Sequence, residues 1–202
     1  MDILETIVFM GSMFIVVYLF ILQPNQVKGA SMEPTFLSGD YIFTSKVTYK
    51  FRAPERGDVI VFKSPQNPDI EYIKRIIGLP GDKIRILASG QVFVNDRLTS
   101  EPYISAKTNL TLGNFMKDNV PIVVGADEFF VMGDNRPHSS DSRYFGPIKI
   151  SSVIGQVFYR YLPASSATKM GPIDNPVPVE YRNKTSYYYN PTTNMVYVSE
   201  SE

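Results

Sequence analysis

The feature that most constrains this chain is a run of apolar residues near its start. Residues 7–22 are interrupted only by Gly11, Ser12 and Tyr18. Extended back to Ile3, the run reaches the roughly 20 residues needed to span a bilayer. It is apolar on every helical face, whereas a helix packed on a soluble core carries a single apolar stripe. A cleaved leader would have basic residues before the run and a small-x-small site after it. Here Asp2 and Glu5 precede it and Val27-Lys28-Gly29 follows. The run therefore reads as a retained transmembrane anchor, residues 1–24. Its orientation is not set by charge: the nearby Lys28 lies on the far side, contrary to the positive-inside rule.

No long amphipathic helical pattern follows the anchor, so the remainder must fold mainly from strands. Period-two apolar patterns between turn signals predict strands at 40–47, 58–63, 70–77, 83–87, 129–132 and 153–161. Residues 91–94 and their continuation past Asn95-Asp96 predict a hairpin. Gly-Asp pairs at 39–40, 57–58, 81–82 and 133–134 supply turn chemistry at strand ends. The expectation is a mainly β, antiparallel domain over residues 25–163. Residues 99–126 are mostly polar and read as an insertion or long loop. Residues 164–202 are rich in Ser, Thr, Asn and Pro, with tyrosines at 187–189, and read as a C-terminal extension with one late strand near 195–198.

Composition narrows the chemistry by exclusion. Twenty Lys and Arg balance 20 Asp and Glu, so there is no basic footprint for nucleic acid. With no cysteine and one histidine, disulfides, thiol catalysis, thiolate sites and His-rich metal centres are excluded. No metal or cofactor is expected. A Ser-His-Asp triad would have to use His138. A nucleophilic enzyme would more naturally pair Ser or Thr with a lysine stripped of its charge by burial. Lys74 is the best placed lysine, since alternation sets it between Tyr72 and Ile76 while Ile73, Arg75 and Ile77 take the other face. The ordinary alternative is a lysine that snorkels past its neighbours to water. Lys50, Lys107, Lys117 and Lys169 lie in polar surroundings.

The candidate nucleophile is Ser31, in Gly29-Ala30-Ser31-Met32-Glu33-Pro34-Thr35. Gly29 opens backbone angles closed to other residues, and Pro34 keeps Glu33 out of the helical region, so a stiff irregular loop is expected. A third cluster, residues 133–143, is dense in hydrogen-bonding groups. Each stretch alone is compatible with an ordinary turn or polar loop. Three further patterns are read as coincidental: Ser166-Ala167-Thr168-Lys169 as an S-x-x-K pair, Arg56-Gly57-Asp58 as an adhesion tripeptide, and sequons at Asn109 and Asn183.

Four stretches in order, 31–35, 56–62, 72–82 and 133–143, with an anchor before them, resemble bacterial type I signal peptidases. The resemblance runs from the anchor to about Leu162. It implies a membrane serine endopeptidase of the bacterial cytoplasmic membrane, single-pass, with its β domain on the extracytoplasmic side. Its implied partners are preprotein signal peptides, cut after small-x-small sequences, and the lipid bilayer. It implies Ser31 as nucleophile and Lys74 as general base, with Ser139 and Asp141 in support. Arg75 with Asp134, and Asp141 with Arg143, match the family's ion pairs. The Ser31 N–H is the implied oxyanion donor. Where some members carry a second donor serine this chain has Gly29, so the Gly29 N–H must substitute or the hole is weaker. Met32, Phe36, Tyr72 and Ile73 match substrate-pocket positions. Animal and archaeal relatives place His where this chain has Lys74. A self-cleaving Ser/Lys repressor would need a DNA-binding domain in place of the anchor. A membrane-tethered signal-peptide-binding module without turnover is the non-enzymatic alternative.

Overall fold

The structure is a computed structural model. It describes residues 2–110, 115–165, 168–177, 186–190 and 195–199, without the side chains of Val17, Leu19 and the last two stretches. Ser166 and Ala167 of the S-x-x-K pattern, Thr111 of the first sequon and the whole second sequon lie outside the described residues.

The apolar run forms helix α1 (Ile3–Phe20), with exposed apolar side chains around it. Ser12 satisfies its own hydroxyl by donating to Val8 O at 2.8 Å. Among the described residues no helix is long and apolar enough to cross a membrane. The strands follow as β1 (Leu22–Gln26), β2 (Tyr41–Ser45), β3 (Val59–Lys63), β4 (Glu71–Gly78) and β5 (Lys83–Ile86). Next come β6 (Val92–Val94), β7 (Arg97–Leu98), β8 (Ile122–Val123), β9 (Glu128–Met132), β10 (Ile148–Lys149) and β11 (Val153–Leu162). The chain closes with β12 (Gly171–Pro172), β13 (Ser186–Asn190) and β14 (Met195–Ser199). Two four-residue helices intervene, α2 (Thr48–Phe51) and α3 (Ser142–Phe145).

An eight-stranded sheet runs β1-β2-β11-β3-β4-β9-β10, with β12 added beside β11. A four-stranded sheet runs β7-β6-β5-β8. β1 was not foreseen, because its Leu-Gln-Pro-Asn-Gln sequence lacks strand character. It is an edge strand, where Pro24 loses no partner that the sheet needs. The predicted hairpin forms at β6–β7, with Asn95 and Asp96 both at positive φ. The polar stretch 99–126 is mostly irregular but contributes β8, and it also buries Tyr103, Thr108, Met116 and Val124. In the C-terminal extension the late strand is β14, and β13 carries the tyrosine cluster opposite it.

Three apolar clusters pin the sheet. Val27, Met32, Phe36, Ile42, Val59, Val61 and Val157 pack beneath the Ser31 loop. Ile60, Phe62, Ile76, Leu79, Phe129, Val131 and Ile148 fill the opposite face of β3, β4 and β9. A third cluster, including Ile77, Ile84, Phe130 and Met132, joins the large sheet to the small one. Ser31, the first half of β4 and the loop after β9 converge where these packed faces end.

Candidate active site

Alternation along β4 turns Lys74 inward as the sequence predicts. Its side chain is 4% exposed, and Nζ lies 2.7 Å from Ser31 Oγ. Nζ also donates to Ile73 O at 2.9 Å and sits 5.3 Å from the Tyr72 ring centroid. Burial lowers the Lys74 pKa from 10.5 to about 8, partly opposed by the charges of Asp141 and Asp134. Near pH 7 the amine is still mostly protonated, but a minor neutral fraction, far larger than for an exposed lysine, has a lone pair able to accept the Ser31 proton.

The Ser31 loop is tied from the side by the loop after β9. Asn135 N donates to Ser31 O and Asn135 Nδ2 to Ala30 O, both at 3.0 Å. The Ser31 N–H itself has no hydrogen bond among the described residues, which leaves it available to an oxyanion. The Gly29 N–H is turned to Ser38 Oγ at 3.2 Å, so the expected substitute donor is already engaged.

Gly133 packs so closely that a Cβ there would overlap both Ser31 O and Ser139 Oγ. Its N–H donates to Asp141 Oδ2 at 3.0 Å. Asp141 also takes a forked pair from Arg143, Nε and Nη2 each at 2.8 Å. Burial pushes the Asp141 carboxyl up, but Arg143, the Gly133 N–H and Ser139 outweigh it and leave it below its usual range. Ser139 Oγ is buried and has no hydrogen bond among the described residues, but its hydroxyl favours the Asp141 anion.

Arg75 points to the other face of β4. It forks onto Asp134 at 2.8 and 2.6 Å and donates Nη1 to Gly57 O at 2.7 Å. Burial opposes its charge, but Asp134 outweighs burial and raises its pKa above the ordinary value. Thr35 Oγ1 donates to Asp134 Oδ2 at 2.5 Å, which ties the serine loop to this pair.

A groove of about 700 Å³ opens beside the dyad, lined by Pro24 to Ser31, by Ile42 and Val61, and by Asp69 to Lys74 with His138 and Ser140. Of the expected pocket residues, Tyr72 and Ile73 line it. Met32 and Phe36 do not: both are 0% exposed and pack under the groove floor with Val27, Ile42 and Val61. The cause is one tight turn, Phe36 N to Met32 O at 2.9 Å, which sends both side chains inward.

Sequence reasoning missed Arg136. It is fully buried, donates Nε to Gly133 O at 2.9 Å, and forks onto Glu101 with bonds of 2.5 and 3.0 Å. Arg143 likewise donates to Asn109 O at 2.9 Å. The polar stretch after β7 thus braces the loop from behind. An arginine next to proline in a polar loop gave no signal of burial.

The family model described as signal peptidase, peptidase S26, matches residues 1–162. A probable signal peptidase I-2 of Synechocystis sp. is 36% identical over 149 residues, 71% of this chain and 65% of that protein. The match thus spans just under two thirds of that relative's length. Signal peptidase IB of Staphylococcus aureus (strain COL) is 33% identical over 178 residues, 81% of this chain and 92% of that protein. The crystal structure of a signal peptidase I from Enterococcus faecalis V583 is 33% identical and covers 52% of this chain and 97% of its own. Its TM-score of 0.43 is too low to build geometry on. By the extent of the family match and these identities, the chain belongs to the signal peptidase family of peptidases, peptidase S26.

Proposed function

We propose that this chain is a membrane-anchored serine endopeptidase that removes N-terminal signal peptides from secreted preproteins. The observation that carries this reading is the 2.7 Å approach of Lys74 Nζ to Ser31 Oγ beside an open groove. Neutral Lys74 accepts the Ser31 proton as Oγ attacks the scissile carbonyl, help worth ~10²–10⁴ in rate. The Ser31 N–H stabilises the tetrahedral oxyanion, a donor whose loss generally costs ~10²–10³ in kcat. The C–N bond then breaks, Lys74 returns the proton to the departing amine of the mature protein, and the signal peptide stays as an ester on Ser31. Water, deprotonated by Lys74, hydrolyses that ester. Asp141, Asp134 and their arginines hold the two catalytic groups in register.

The groove suits an extended substrate. β1 is a sheet edge, and β4 pairs with β9 only from Arg75 onward, so among the described residues no strand pairs with the outer edge of its Glu71–Lys74 half. A chain laid between the two adds a strand. The apolar floor offered by Val27, Ile42, Val61 and Ile73 suits small side chains, in line with cleavage after small-x-small sequences.

The anchor is α1. Its 18 residues rise ~27 Å, against a hydrocarbon core of ~30 Å. The expected placement is a bacterial cytoplasmic membrane crossed once, with the catalytic domain outside.

The test is cleavage of a purified preprotein in lipid by wild type, Ser31→Ala and Lys74→Ala, with the new amino terminus mapped. Cleavage after a small-x-small site by wild type alone is the expected result. Full activity in either variant would remove the dyad. Preprotein bound but uncut by wild type would leave the binding module.

A further inference from the structure

Residues beyond 162 lie outside the family match, and their polar composition suggests no role. Their contacts do. The Ala164 N–H and Thr168 Oγ1 both donate to Asp40 Oδ1, at 2.7 and 3.0 Å. The other oxygen of that fully buried carboxylate takes the Leu37 N–H at 3.0 Å and lies 3.0 Å from Arg160 Nε. One carboxylate therefore joins the C-terminal segment to the end of the Ser31 loop. Arg160 repeats the junction. It donates Nη1 to Lys169 O at 3.0 Å and Nη2 to Thr35 O, with its guanidinium 4.9 Å from the Phe36 ring.

The segment then crosses the back of the site. β12 pairs with β11, the Ile173 N–H donates to Phe158 O at 2.9 Å, and Ile173 packs on the cluster that holds Met32 and Phe36. Asn175 Nδ2 donates to Arg56 O at 3.0 Å, and Val177 is buried in the core. Asn175 and Val177 lie so close to Gly57 that a Cβ there would overlap both. Gly57 O is the acceptor for Arg75 Nη1. Both supports of Asp134 are thus reached indirectly from behind by the same segment, Thr35 through Arg160 and Arg75 through Gly57.

We propose that residues 164, 165 and 168–177 form a positioning strap that holds the Ser31 loop in its reactive pose through Asp40 and Arg160. The proposal rests on the peptidase reading of Ser31 and Lys74. No strap residue lines the substrate groove, so the strap acts on turnover rather than on substrate binding. Thr168 and Asp40 are positioning residues: Asp40 holds the end of the loop through the Leu37 N–H, and Thr168 acts through Asp40. A buried carboxylate deprived of one donor is under-satisfied, and its remaining bonds rearrange. Here the remaining bonds include the Leu37 N–H.

The experiment uses the full chain in lipid as wild type, Thr168→Val and Thr168→Ser, with a preprotein substrate and amide hydrogen exchange. The valine keeps the shape and removes only the hydroxyl donor. The expected result is a roughly tenfold fall in kcat at unchanged KM, because small misplacements of reacting groups cost this much or more. Exchange should speed up across residues 35–40 while β3 and β4 keep their protection, and the serine variant should restore both readouts. Unchanged exchange at 35–40, or a loss of protection shared by the whole domain, would overturn the strap. Should Thr168→Val fail to fold, Asn175→Ala at the other end decides: the same split in kcat and local exchange supports the proposal, and wild-type values refute it. If wild type does not cleave at all, the peptidase reading falls and the exchange pattern alone judges the strap.

Discussion

Lys74 and Arg75 are neighbours on one strand, both buried, and they meet opposite fates. Lys74 is 4% exposed and Arg75 1%. Arg75 receives both oxygens of Asp134 and a backbone carbonyl, and keeps its charge more firmly than a free arginine. Lys74 receives a serine and a carbonyl, and burial drives its pKa to about 8. Carboxylates are near Lys74, but Asp141 is forked by Arg143 and Asp134 by Arg75. Depth alone therefore does not make a reactive lysine. What sets Lys74 apart is that the two carboxylates acting on it, Asp141 and Asp134, are already committed to arginines.

The comparison breaks most visibly in Lys74→Met. If Lys74 is the base, as proposed, cleavage should fall by ~10²–10⁴ or more. Stability should move the other way. A folded pKa of about 8 against 10.5 means that the unfolded chain binds the extra proton between those values. Wild-type stability is thus depressed below pH 8 and recovers as pH rises towards 10.5. The interval corresponds to roughly 3 kcal/mol. Urea unfolding should find the methionine variant more stable at pH 7, with an advantage that vanishes above pH 10.5.

Asp134→Ala should do the reverse. It leaves Arg75 charged and unpaired in the core, at a cost of about 3–5 kcal/mol. A variant as stable as wild type in the same unfolding measurement would contradict the contrast. Gly133→Ala comes next, at about 1–3 kcal/mol of overpacking, with kcat lost as Ser31 O is displaced. A melting curve together with the kcat of the variant reads both. The pH dependence of kcat/KM sharpens the lysine half: log rate should climb by one unit per pH unit at acid pH and level off near pH 8 as Lys74 loses its proton. A flat profile from pH 6 to 8 would exclude Lys74 as base. The smallest effect belongs to Glu71→Gln. The bonds of Glu71 to Gln23 and Asn25 cross the groove on the exposed surface, and their loss should cost below about 0.5 kcal/mol in thermal unfolding.

The lysine half of the contrast was legible because it is local. Period-two alternation placed Lys74 between Tyr72 and Ile76, and the strand obeyed it. The positive φ of Asn95 and Asp96 followed from the same short-range chemistry. The bracing was not legible, because Arg136 finds Glu101 across 35 positions and Asp40 finds Thr168 across 128. Neither partner advertises burial in its own neighbourhood. The placement of Met32 and Phe36 beneath the groove was not legible either, since a single tight turn decides which way their side chains point. β1 was missed for a third reason, since an edge strand tolerates proline and polar residues that a central strand would reject.

The junction of α1 with β1 has a mechanical meaning. Only Ile21 separates the helix from a strand whose five residues all pair with β2, and the pairing continues through Val27 to Gly39 and Asp40. At about 3.3 Å per residue the strand spans ~17 Å. With α1 in a bilayer, β1 is a stiff ruler rather than a tether. On the proposed reading it would set the height at which Ser31 stands over the lipid, and so which peptide bond of a membrane-held substrate would come within reach.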